Sequence, residues 1–130
     1  MQAIDRLHDF LRHLVNRKFP SAEYRDEAGT VRLVLKTVSW EDYVRLSFEE
    51  IRIGAAASVQ VTRRLRACFE DLLQCAPEER RASLERQLRL LDAEIDSNGD
   101  SILDSAVWQQ SDPQGIGASR AATVAQMPER

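Results

Sequence analysis

A transmembrane helix is the first thing this sequence lacks. No stretch reaches the ~18 consecutive apolar residues that spanning requires, and no apolar signal-peptide core follows Met1. As given, the chain is not expected to cross a membrane. Cysteine is scarce, with Cys68 and Cys75 only. They fall on one predicted helix, about two turns or ~10 Å apart, beyond disulfide reach within a continuous helix. Two free thiols in a reducing compartment are expected. Histidine is just as rare, with His8 and His13 alone, which leaves little for a metal centre or acid–base catalysis. Neither sign of charge predominates. Eighteen Lys and Arg stand against 21 Asp and Glu, a net charge of −3, which implies solubility rather than an electrostatic grip on nucleic acid or anionic lipid. No Gly-rich phosphate loop, GxSxG elbow or HExxH occurs.

What is present is helical periodicity. Ile4, Leu7, Leu11, Leu14 and Val15 recur on one face of a first helix that should end near Lys18, before Phe19-Pro20. No capping residue precedes it, so Met1 looks like a cut from something longer. Glu23-Tyr24-Arg25 and the alternating run from Thr30 to Val38 flank Asp26-Glu27-Ala28-Gly29, which predicts a small β-hairpin laid against the helices. Ser39 and Asp42 have capping-box spacing. The second helix they open turns Trp40, Tyr43, Val44, Ser47, Phe48, Ile51 and Ala55 inward. The small residues from Gly54 to Ser58 suit a tight break. A third helix from Ser58 turns Val61, Leu65, Cys68, Phe69, Leu72, Leu73 and Ala76 inward, with Arg63, Arg64 and Arg66 largely outward. Pro77 fits the first turn of a fourth helix striped by Leu84, Leu88, Leu91 and Ile95. The expected fold is mainly α: a bundle of four longer helices and a short fifth, with one small β-hairpin between helices 1 and 2. Residues 1–110 would form the helical domain, and 111–130 an extended or disordered C-terminal tail.

Three patterns invite a chemical reading. Asp96, Asn98, Asp100 and Asp104 have the alternating oxygen ligands of a calcium loop, but Ser101 stands where the turn glycine belongs and Val107 where the closing Glu belongs. A connection between helices explains them without an ion: Asn98-Gly99 as a C-cap, then Ser101 and Asp104 capping a short fifth helix with Ile102, Leu103, Val107 and Trp108. Asp5 and His8 have the spacing of helical di-metal sites. His13 lies about 140° around the helix from His8, however, and exposed polar residues are expected, with Asp9 and His13 as a weak surface pair. Arg63, Arg64, Arg66, Arg80, Arg81, Arg86 and Arg89 could form a basic strip. Glu70, Asp71, Glu78, Glu79 and Glu85 are interleaved with them, so salt pairs along each helix are the expectation.

The stretches AIDRLHDFLRHL, VRLVLKTVSWEDYVRLSFEEIR, SVQVTRRLRACFEDLL, APEERRASLERQLRLLDAEI and DPQGIG follow in this order. Together they resemble the C-terminal soluble part of a bacterial family of predicted membrane proteins, a domain of unknown function. The most specific pieces are Asp5-Arg6-Leu7, Trp40-Glu41-Asp42-Tyr43 and Gln114-Gly115-Ile116-Gly117, and the resemblance runs from Gln2 to Gly117. It implies transmembrane helices ahead of Gln2 in a full-length parent. It brings no established activity, hence no catalytic residue and no cofactor. It also implies a polar connection with an aromatic or proline where this chain has Asn98-Gly99. The expected function is a non-catalytic cytoplasmic interaction or regulatory domain of an integral membrane protein. Homodimerisation is expected through an apolar surface at Ile4, Leu7 and Leu11. Contact with the membrane would come only through the missing N-terminal region, and no nucleic acid or small-molecule substrate is expected. A calcium-responsive module is the alternative, with a small enzyme or nucleic-acid binder behind it.

Overall fold

A computed structural model describes residues 2–55, 57–98 and 107–112 of the chain. The apolar residues of Gln2–Leu14 wind into α1, which buries Ile4, His8 and Leu11, with Val15 buried just beyond its end. The helix stops short of Lys18, and its last carbonyls are met from outside. Arg80 donates from Nη1 to the carbonyls of Leu14 (2.9 Å) and Val15 (2.6 Å), and from Nη2 to that of Arg17 (2.6 Å). Such carbonyls have no partner within their own helix.

The hairpin forms as its turn residues dictate. β1 (Glu23–Arg25) and β2 (Val31–Val34) pair antiparallel, Tyr24 opposite Leu33, with a register shift after Tyr24. Asp26 organises the turn by accepting the amides of Ala28 (3.0 Å) and Thr30 (2.9 Å) and Nε of Arg32 (2.7 Å). The Arg32 bond, with the Thr30 amide behind it, holds this carboxyl below the usual range. Gly29 supplies the left-handed φ of 81°. The hairpin is not laid against the helices, though. No residue of either strand comes within 8 Å of a helix, Cα to Cα, and every strand residue is exposed. Its alternation reflects pairing between its own two strands, not packing on a core.

The capping box forms as its spacing predicts. Ser39 Oγ accepts the Asp42 amide (3.2 Å), and Asp42 Oδ2 accepts both the Ser39 amide (3.1 Å) and hydroxyl (2.9 Å). It opens α2 (Trp40–Ala55), which buries Trp40, Val44, Phe48, Arg52 and Ala55. Ser58 caps α3 (Val59–Cys75) in extended conformation, its side chain accepting the Val61 amide. Thr62 Oγ1 donates to the Ala55 carbonyl (3.1 Å), stitching the tight α2–α3 break. Ala76 is extended ahead of Pro77, as a residue before proline prefers, and α4 (Glu78–Asn98) follows.

α3 is the central helix. It packs against α1, α2 and α4, and α4 also packs on α2. Thr62, Arg64, Leu65, Arg66, Ala67, Cys68, Phe69 and Leu72 are all buried, on more than one face. Phe48 meets Phe69 edge to face at 5.0 Å in the middle of the core. Ile4 and Leu11 are buried within this chain and Leu7 packs against the same core, so these three residues do not form an exposed apolar patch. The expected fifth helix is not among the described elements. Ser101 to Asp104 lie outside the described residues, as does the tail from 113 onward. Trp108 is described and packs against the core.

The capping box carries a pH signature. The Ser39 amide, then its hydroxyl, lower the Asp42 pKa. The box's contribution is therefore complete above the ordinary Asp value of about 3.9 and is lost as pH falls through the lower folded value. By carboxyl NMR titration Asp42 should titrate below that value and move part of the way back in Ser39→Ala. The lost Ser39 cap should cost ~0.5–2 kcal/mol at neutral pH. An Asp42 titration unchanged by Ser39→Ala would contradict the assignment.

Candidate functional site

The ionisable side chains meet where apolar spacing places them. Trp40, Val44, Phe48 and Arg52 form a row at intervals of four on the buried face of α2. Arg52, only 6% exposed, donates from Nε to Gln87 Oε1 (3.2 Å) and pairs through Nη1 with Glu94, both on α4. In the same way Arg64 continues the row of Cys68 and Leu72 on α3, and reaches Asp5 of α1 at 2.8 Å. Arg66 pairs with Asp92 of α4. From α1, His8 follows Ile4 by one turn and is buried, its Nε2 2.8 Å from Asp71 Oδ2. Arg12 Nη1 reaches the same oxygen at 2.9 Å. Nδ1 of His8 lies 3.7 Å from Asp9.

These pairings revise the sequence reading in three places. Asp5 and His8 are not exposed and do not share a ligand: Asp5 faces Arg64 and His8 faces Asp71. Asp9 approaches His8 rather than His13. Arg64 and Arg66 are buried, not outward, and their partners are on other helices. Pairing along one helix does occur, at Arg81–Glu85 (3.9 Å) and from Arg45 to Asp42 (3.5 Å) and Glu49 (3.7 Å), on exposed positions. Arg80 belongs to no strip, since its guanidinium stacks over Phe19 and Trp40 while capping α1. Arg52 and Arg64 do fall in apolar rows, but the spacing within one helix does not show which helix covers the row.

Chemically, the arrangement ties helices to one another. Asp71 orients His8, but Asp71 is shared with Arg12 and the imidazole is enclosed. Cys68 and Cys75 lie on α3, as expected; Cys68 is a buried thiol, and Cys75 Sγ donates to the Leu72 carbonyl (3.4 Å). Burial, with Asp71 and Asp5 nearby, pushes the Cys68 thiol up, away from the nucleophilic thiolate. Among the described residues no group of three or more His, Cys, Asp or Glu could hold a metal ion. Of the calcium pattern, Asp96 falls within α4, and Asp100 and Asp104 lie outside the described residues. A groove of about 340 Å³ runs between α2 and α4, lined by Glu41, Asp42, Arg45 and Glu49 on one wall and Ser83, Arg86 and Gln87 on the other. Its charges of both signs pair largely with one another.

A family model described as Predicted membrane protein (DUF2254) matches residues 1–71, more than half of the chain. The chain belongs to this family. No described helix is long and apolar enough to cross a membrane. The DUF2254 match takes in α1, the hairpin, α2 and α3 as far as Asp71, so the stretch from Ala76 to Ile95 and DPQGIG lie beyond it. Both partners of Asp5–Arg64, His8–Asp71 and Arg12–Asp71 fall inside the match. Arg52 and Arg66 instead reach partners on α4, outside it. No curated protein and no solved structure matches the chain.

Removing one member of a buried pair leaves the other without compensation. Asp71→Ala strips a partner from both His8 and Arg12, and should lower stability by on the order of 3 kcal/mol. Arg45→Ala, on exposed pairs, should stay within about 0.5 kcal/mol. Urea unfolding followed by circular dichroism measures both, and equal effects would contradict the distinction.

Proposed function

We propose that this chain is a non-catalytic interaction and regulatory domain of an integral membrane protein, positioned on its cytoplasmic side. The observation that carries the reading is the fate of the reactive side chains. His8, Asp71, Arg52, Arg64 and Arg66 are engaged in joining helices, and Cys68 is enclosed among them. The α2–α4 groove and the hairpin are left for contact with other molecules. Membership of a predicted membrane protein family supports the membrane context.

The reading is tested in a membrane-inserted parent that carries this region. Fused after Arg130, green fluorescent protein should fluoresce and alkaline phosphatase should be inactive; the reverse places the domain on the other side. Hydrogen–deuterium exchange should be slower in the parent than in the isolated chain over the groove or the hairpin. Identical exchange throughout would contradict an interaction role.

A further inference from the structure

The hairpin is built unlike a structural element. Tyr24 and Leu33 face each other across it, and Leu35 follows two residues on, where side chains return to the same face. They are 50%, 50% and 44% exposed. The alternate positions are mixed, carrying the ion pair of Arg25 with Glu23 beside the exposed Val34. An isolated two-stranded hairpin is marginal in water, and no helix lies behind this one. Local charge indicates what meets it. Over residues 16–38, Arg17, Lys18, Arg25, Arg32 and Lys36 stand against Glu23, Asp26 and Glu27, a positive excess on a chain of net charge −3. Glu23 and Asp26 are already paired, with Arg25 and Arg32. The chain-wide balance, which argues against anionic lipid, conceals this segment.

We propose that the hairpin is a membrane-contact element that lays Tyr24, Leu33 and Leu35 on an anionic lipid surface, with Lys18 and Lys36 among its headgroups. This rests on the membrane context of the function proposed above. A second copy of the chain fits less well. A stable protein interface buries about 800 Å² on each partner, and three half-exposed side chains supply well under that. Lipid makes no such demand, and a tyrosine with flanking basic residues suits the headgroup boundary. The open strand edges keep the hairpin there, because unpaired backbone groups do not enter the hydrocarbon.

Flotation of the isolated chain with vesicles tests this without the parent, so it can fail while the fusion and exchange results above still hold. The chain should float with phosphatidylglycerol-containing vesicles at low salt and not with pure phosphatidylcholine. Lys36→Glu should weaken binding about fivefold or more, the equivalent of ~1 kcal/mol per basic residue near the surface. The double variant Leu33→Glu, Leu35→Glu should abolish flotation while leaving helical circular dichroism and Tm unchanged, since both side chains are exposed and neither belongs to the helical core. No flotation with anionic vesicles, or flotation indifferent to the double variant, overturns the proposal. So does a concentration-dependent dimer dissolved by the same variant, which would assign the hairpin to a second copy.

Discussion

Guanidinium groups cannot be buried without oxygen partners, and this constraint governs how the four helices are arranged. α3 is enclosed by α1, α2 and α4 while carrying Arg64 and Arg66 on its buried sides. Each must find a carboxylate on whichever helix covers it. Asp5 on α1 and Asp92 on α4 meet that need, and Glu94 does the same for Arg52 of α2. Apolar packing sets how closely the helices approach, and the ion pairs add direction to it. The ion pairs select one rotation for each helix, because a turn away would leave a cation enclosed in apolar surroundings.

A second tie acts at one end of the bundle. Arg80, on the first turn of α4, bonds the closing carbonyls of α1 and stacks on Phe19 and Trp40, while Trp40 Nε1 donates back to the Arg80 carbonyl (3.0 Å). Three helix ends therefore meet around one side chain. Phe19 also stacks on Tyr43, at 5.7 Å. The chain leaves for the hairpin directly after this cluster, which anchors both ends of a segment that no helix supports. Rigid scaffold and unsupported hairpin are two consequences of the same arrangement.

Features with local causes were legible in the sequence. The Ser39–Asp42 box, the Gly29 turn, Ser58 at the start of α3 and the leucine stripe of α4 each depend on neighbours within a few residues. The family, too, was legible from stretches of the first three helices. Features whose partners lie far along the chain were not. His8 and Asp71 are 63 residues apart, and Arg64 and Asp5 are 59 apart. A charged residue in an apolar row reads as outward when its helix is considered alone. Similarly, the alternation of Val31–Val34 predicted a strand without revealing that nothing would cover it. The capping of α1 belongs here as well, because the guanidinium that meets its closing carbonyls is 65 residues beyond Val15.

The account stands on helix-to-helix ion pairs acting as couplings rather than incidental contacts. A double-mutant cycle on Asp5 and Arg64, with Asp5→Asn, Arg64→Met and the two combined, measures this most directly by urea unfolding. The account predicts that each single change destabilises, and that the double variant recovers at least ~1 kcal/mol relative to their sum, since the apolar replacement leaves no buried cation behind. Strict additivity of the two substitutions would contradict it.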